Sequence, residues 1–289
     1  MLRSLLLLAL SLSIGLTLAA LPADNALRDQ VAELFKQRQW AVAQAVLEKV
    51  TAAEPNNADA WHSLGLTFLA LNEYEKAVTA LEKATQLAPA KSDYFLQLGH
   101  AYGVSAQKAG LFAKLGFAKK CKTAYDKAVE LDSSNINARW SLMEYCKQAP
   151  SIIGGGMDQA YVQAEAIKHL DARRGRSAYA SLYLSDKKYA EAFALYDDVL
   201  RKNPADGDAL YNLGRIAAIS GEQLDRGLSA LRTLLTQEGG NTARTRTRIG
   251  NILEKQGDKA GAKTAYEAAL ALDPKFTQAI EALRKLNAG

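Results

Sequence analysis

The chain has 289 residues, 48% of them hydrophobic and 23% charged, with a formal net charge of +5; that is enough apolar material for a buried core and excludes a disordered polypeptide. Only six prolines and twenty glycines stand against an abundance of Ala, Leu, Lys, Glu and Gln, residues that lose least on entering a helix, so the composition argues against an all-β fold and for a mostly helical one. A nucleic-acid protein would concentrate basic residues on one surface with stacking aromatics among them, and this charge is only mildly basic, so no nucleic-acid partner is expected.

The first twenty residues differ from the rest. Arg3 supplies a positive start, Leu5 to Leu18 is a low-polarity run, and Thr17, Ala19 and Ala20 are small, the pattern of a secretory signal peptide over residues 1–20. An uncleaved anchor is the competing reading, but the run is shorter than the roughly 20 residues a spanning helix needs. No cysteine follows the small residues, so a lipid-modified cysteine is not offered. Cleavage would leave a periplasmic or secreted protein with no stable membrane insertion.

From residue 24 onward the apolar residues recur at helical spacing. In residues 24–57 Leu34, Trp40, Ala43, Leu47 and Val50 precede Pro55. In residues 58–91 Trp61, Leu64, Gly65 and Phe68 are followed by Ala77, Leu81 and Ala84, then Pro89. Gly65 and Ala77 lack bulk so that two backbones can approach, Leu64, Phe68 and Leu81 fill the seam, and Pro89 ends the second helix. This 34-residue pattern resembles the tetratricopeptide repeat strongly. An exported bacterial member of that family is the reading. The resemblance implies an all-α fold, an α-solenoid wound as a right-handed superhelix, in which the first helix of each hairpin lines a concave side that takes peptide segments or partner domains.

The next two units are longer. Residues 92–135 carry Gly99 and Tyr102, then Cys121, Tyr125 and Ala128, with Ala106 to Ala118 read as helical extension between them. Residues 136–172 carry Ala138, Leu142 and Cys146, then Ala160, Ala164 and Ile167, separated by a long turn from Pro150 to Gly156. The frame continues through residues 173–206 with Tyr183, Tyr189, Ala192 and Tyr196, and through 207–242 with Leu213, Gly214, Gly227, Leu231 and Leu234. It closes in residues 243–276 with Ile249, Gly250, Leu253, Ala262, Tyr266, Ala269 and Pro274. Seven units thus fill a solenoid over 24–287. A capping helix over 275–287 is expected to turn Ile280, Leu283 and Leu286 inward.

No catalytic residue, cofactor or metal emerges. His62, His100 and His169 form no H-E-x-x-H, although His62 and His100 share the expected groove face with Asp59 and Asp93. Gly154-Gly155-Gly156 is followed by Met157 and Asp158 rather than Lys and Ser or Thr, and Asp158 would repel a phosphate. No serine or cysteine sits in a nucleophile motif. The segment Lys108 to Lys122 interleaves Leu111, Phe112, Leu115 and Phe117 with five lysines; it reads as the seal of a long helix pair, with contact to an anionic membrane as the second reading.

Cys121 lies near the start of one helix and Cys146 near the end of the next, and consecutive helices run antiparallel. In an oxidising compartment the Cys121–Cys146 disulfide would staple neighbouring repeats; the other reading is two buried free thiols.

The frame places Arg28, His62, Leu66, His100, Trp140, Glu144, Tyr211, Arg215, Thr247 and Asn251 on the concave wall, with Trp140 and Tyr211 as aromatic anchors or half-buried core. Asn212, Arg244 and Arg248 resemble half of the carboxylate clamp by which co-chaperone repeats grip acidic C-termini. Ser177 and Ser181 stand where its other Lys and Asn would be. With Arg215, these arginines are read as receivers of a carboxylate. The function that follows is a non-enzymatic adaptor for protein or peptide partners, one with an acidic C-terminus among them. The alternatives are a self-associating or enzyme-bracing envelope protein and, further off, a hydrolase whose site no motif betrays.

Overall fold

The computed structural model describes residues 25–288; the leader read at 1–20 lies outside them. All the regular structure among those residues is helical. The contacts divide it into two compact units, one ending at Leu170 and one starting at Asp171.

The first unit is built from α1 (Asn25–Lys36), α2 (Trp40–Ala53), α3 (Ala58–Ala70), α4 (Tyr74–Leu87), α5 (Ser92–Lys108), α6 (Leu111–Leu131), α7 (Ile136–Gln148) and α8 (Met157–Leu170), with a 3-10 turn at Ser151–Ile153. Helices pair in sequence order as hairpins, and α3 also touches α5, which touches α7. The first helices of successive hairpins therefore form one layer and the second helices the other.

The second unit repeats this plan with α9 (Ala172–Ser185), α10 (Tyr189–Lys202), α11 (Gly207–Ser220), α12 (Leu224–Leu235), α13 (Ala243–Lys255), α14 (Lys259–Leu272) and α15 (Thr277–Ala288). Here α11 lies between α9 and α13, and α13 touches α15. The core of this unit gathers Phe193, Tyr196, Leu213, Ile216, Leu231 and Ile252.

Three local devices set the hairpins. The two helices close at glycine: a Cβ on Gly65 would stand 2.5 Å from Leu81 Cγ, so Leu81 occupies the space a larger residue would need. The turn inside the hairpin needs a left-handed residue, and Arg38, Asn72, Lys187, Gly221 and Gly257 all have positive φ at the same place in the 34-residue frame. Finally, α3, α7, α9, α11 and α13 are capped by the side chains of Asn57, Asn135, Asp171, Asp206 and Thr242, each accepting a backbone N–H of the first turn, which satisfies donors the helix itself leaves open; α5, after Lys91, has no such cap.

The structure corrects several expectations. Cys121 and Cys146 are both buried and free, so the disulfide is not formed. Each thiol faces the partner helix of its own hairpin: Cys121 Sγ lies 3.5 Å from the Cβ position of Gly103 on α5, and Cys146 Sγ hydrogen-bonds Gln159 Oε1 on α8 at 3.7 Å. On α15 the fully buried residue is Ala279, packed with Phe276 and Leu270, and Leu283 and Leu286 are half-buried, while Ile280 is 43% exposed. A small residue wins that position because the terminal helix lies close over Ala243 and Ala269. The extension at Ala106 to Ala118 is broken by Ala109-Gly110, so it lengthens both α5 and α6.

Candidate partner-binding walls

In the first unit the inner layer presents His62 on α3, His100 on α5 and Trp140 on α7. His62 is only 7% exposed. Its ring stacks on Tyr94 at a centroid distance of 4.4 Å and 14° between planes, and the Tyr94 hydroxyl donates to Asp59. Burial pushes the His62 pKa down to about 4, and its Nε2 is buried without a hydrogen-bond partner.

His100 bridges two hairpins. Its Nδ1 lies 3.1 Å from Gln97 Oε1 and its Nε2 3.1 Å from Ser141 Oγ on α7. An amide oxygen only accepts, so Nδ1 carries the proton and Nε2 accepts from Ser141. Burial lowers this pKa to about 4 as well. His62 and His100 are thus structural polar groups of the inner layer. Leu66 is buried too, which removes it from the wall. Trp140 remains half-buried. The acids expected beside the histidines are committed elsewhere, Asp59 to Tyr94 and Asp93 to Asn135 Nδ2 at 2.9 Å. Among the described residues no three His, Cys, Asp or Glu gather at metal-binding distance.

In the second unit the wall is basic. Tyr211 is half-buried against the core. Asn212 is 7% exposed and its Nδ2 donates to the Asp208 carbonyl at 2.9 Å, so its amide is turned along its own helix. Arg215 and Arg176 both stand near Tyr196. Thr247 is buried and donates to Ala243 O at 2.7 Å.

Arg244 is exposed, and Arg248 is half-buried with its Nε enclosed and without a partner. Tyr266 donates to Glu254 Oε2 at 2.7 Å, and a phenol has one proton to give. Asn251 must then present its amide nitrogen to Tyr266 Oη at 2.9 Å, which turns its oxygen to Arg248 Nη1 at 3.3 Å. Burial, and then the bond to Glu254, raise the Tyr266 pKa. Arg244 and Arg248 therefore bring guanidinium to the wall, while Asn212 does not point there.

The tyrosine that covers His62 was not marked by the sequence reading, although Tyr94 follows Asp93 at the start of its helix. Nor was a cleft of about 750 Å³ between α9 and α10, lined by Arg176, Tyr183, Leu195, Val199 and Lys202 among others. Its residues are ordinary hairpin flanks, with no motif to draw attention.

An all-helical stack of hairpins whose first helices form a common inner layer defines a helical-repeat protein. The tetratricopeptide repeat matches residues 28–92 and 177–241 and again 243–276, more than half of the sequence, and the chain belongs to that family. Tetratricopeptide repeat protein 37 of Xenopus laevis is 25% identical over 189 residues, 62% of this chain but 11% of its own length. The chain thus spans about a tenth of that relative. Among solved structures, a tetratricopeptide repeat protein of Parabacteroides merdae is 16% identical with a TM-score of 0.66, covering 91% of this chain and 98% of that one. Yeast Tom70 is 15% identical with a TM-score of 0.70, covering 93% of this chain and 58% of its own. At these identities the likeness is one of fold. Proteins of this family generally serve as protein-interaction scaffolds.

Proposed function

We propose that the chain is an exported adaptor, periplasmic or secreted after loss of residues 1–20, which holds extended peptide segments of partner proteins on its inner walls. In the second unit the ligand is a peptide ending in an acidic residue or a free carboxylate, received by Arg244 and Arg248 with Tyr211 as the apolar contact. What carries the reading is Arg248: its Nε is buried without a hydrogen-bond partner, a donor whose desolvation an incoming carboxylate would offset. Arg244 on the same helix adds a second, exposed guanidinium. On the first unit Trp140 supplies a ring of the kind that dominates interface energetics.

The test is selection from a random peptide library displayed with free C-termini, followed by binding of the selected peptides as free acids and as C-terminal amides. Acidic C-terminal sequences should be enriched, and both amidation and Arg244→Glu/Arg248→Glu should weaken binding by at least tenfold, a loss of about 1.4 kcal/mol. Equal binding of acid and amide by wild type and variant would sink the carboxylate reading. Loss of binding on Tyr211→Ala alone would leave an apolar peptide groove.

A further inference from the structure

The long hairpin α5–α6 of the first unit has a role that the inner wall does not use. Counted from the close contacts Gly65–Leu81 and Gly99–Tyr125, α5 runs nine residues past its glycine where α3 runs five, and α6 begins fourteen residues before its tyrosine where α4 begins seven before its leucine. At a 1.5 Å rise the surplus carries the tip roughly 6–10 Å beyond the neighbouring hairpin. The extra turns lie wholly at the tip.

This projection is basic and apolar at once. Between Asp93 and Asp126 the sequence holds five lysines and no acid. Lys120 is paired with Glu82 at 3.6 Å and lies over the Tyr102 ring at 5.2 Å, and Lys122 is paired with Asp126 at 2.7 Å. Lys108, Lys114 and Lys119 have no ion pair among the described residues. Between them Leu115 is 44% exposed, whereas Phe117 is turned back toward Tyr102 at 6.2 Å between centroids. Of the apolar residues read from the sequence as a seal for the helix pair, Phe117 is half-buried against Tyr102 and Leu115 is exposed, while the side chains of Leu111 and Phe112 lie outside the described residues.

A second exposed apolar side chain lies on the loop that packs against the same helix. The loop after α7 meets α6 at Lys122, whose Cδ would lie 2.6 Å from a Cβ on Gly154. That point is seven residues, about 10 Å, along the helix from Leu115. In this loop Ile153 is buried and Ile152 is 83% exposed, the most exposed large apolar side chain among the described residues.

We propose that this edge of the first unit docks on an anionic lipid surface, with Lys108, Lys114 and Lys119 among the headgroups and Leu115 and Ile152 at the acyl boundary. Charge complementarity decides the sign of the partner. Shape decides its kind: the apolar residues sit singly on projecting ends rather than in a groove, and a bilayer interface receives such side chains without a matching pocket. An acidic protein would need one.

The experiment is sedimentation of the full chain with vesicles of phosphatidylcholine alone or mixed with phosphatidylglycerol. Wild type should bind the anionic vesicles in excess over the neutral ones, the excess falling as salt is raised. Lys108→Glu/Lys114→Glu/Lys119→Glu, with an unchanged melting curve, should abolish the excess on anionic vesicles and leave neutral-vesicle binding as it was, since the apolar leader is common to both. Leu115→Gln/Ile152→Gln should remove the salt-resistant part of the excess. Equal partitioning of wild type onto neutral and anionic vesicles, or of wild type and lysine variant onto anionic ones, overturns the proposal. Lysine-dependent capture of poly-glutamate without discrimination between vesicles overturns it in favour of an acidic protein.

Discussion

Gly250 on α13 lies so close to the Tyr266 ring on α14 that a Cβ there would come within 2.4 Å of Cε1. Tyr266 is fully buried and held through its hydroxyl by Glu254, so the ring cannot retreat. Gly250→Ala should therefore destabilise the protein by about 1–2 kcal/mol net, overpacking outweighing the roughly 1 kcal/mol that alanine gains in a helix. Gly116→Ala, where nothing lies within 4 Å of the added Cβ, should instead stabilise by about 0.5–1 kcal/mol. Thermal melts of the two variants check both signs.

The left-handed turn residue offers a gain. Lys187 has φ 57°, at the frame position where Gly221 and Gly257 stand in later hairpins, and a side chain there is strained by about 1 kcal/mol or more. Lys187→Gly should raise stability by about 0.5 kcal/mol once the added freedom of the unfolded chain is subtracted, and Gly257→Ala should lower it by about 1 kcal/mol. Denaturant titration reads each as a shift of midpoint at constant slope.

Asn135 does more than cap α7. Its oxygen accepts from Ala138 N at 3.0 Å while its nitrogen donates to Ser92 Oγ and Asp93 Oδ1, both at 2.9 Å, joining the N-termini of α5 and α7. Asn57 caps α3 in the same way, but its nitrogen reaches only the nearby Glu54. Asn135→Ala should cost about 2 kcal/mol and Asn57→Ala about 1 kcal/mol, measured by chemical denaturation. Equal costs would show that the link between hairpins contributes nothing.

Acid should weaken the first unit through His62. Its folded pKa is depressed to about 4 from the 6.5 of a free histidine, so the unfolded chain takes up the proton first. Stability is then complete above pH 6.5 and falls as the pH drops toward 4, by on the order of 2–3 kcal/mol. His100 acts in the same direction. His62→Phe, which keeps the stack on Tyr94, should flatten the decline in melting temperature across this window; an unchanged slope would show that His62 is not buried as a neutral ring.

The thiols should be inert. Burial pushes Cys121 up to about 12 and raises Cys146, so neither supplies thiolate at neutral pH. An aromatic disulfide reagent should titrate two thiols only after denaturation, and a reductant should leave the melting temperature unchanged. Loss of stability on reduction would instead mean that the two cysteines had joined.

What the sequence determined by itself was the repeated hairpin. The period written by Gly65, Ala77 and Pro89 is local, because helix capping, turn handedness and close approach each depend on residues within one unit of 34, and Arg38, Asn72 and Lys187 adopt the same backbone despite unlike side chains. Membership in the tetratricopeptide-repeat family followed from that spacing. Which way a side chain leans within its layer was decided only by tertiary packing. The frame could place His62, Leu66 and Asn212 on the inner helices, but Tyr94 covers the first, neighbouring hairpins bury the second, and the third satisfies its own helix. Cys121 and Cys146 likewise lie on adjacent helices, yet each faces its own hairpin. A few tens of degrees about a helix axis separate a wall residue from a core residue, and only the packed neighbours set that angle.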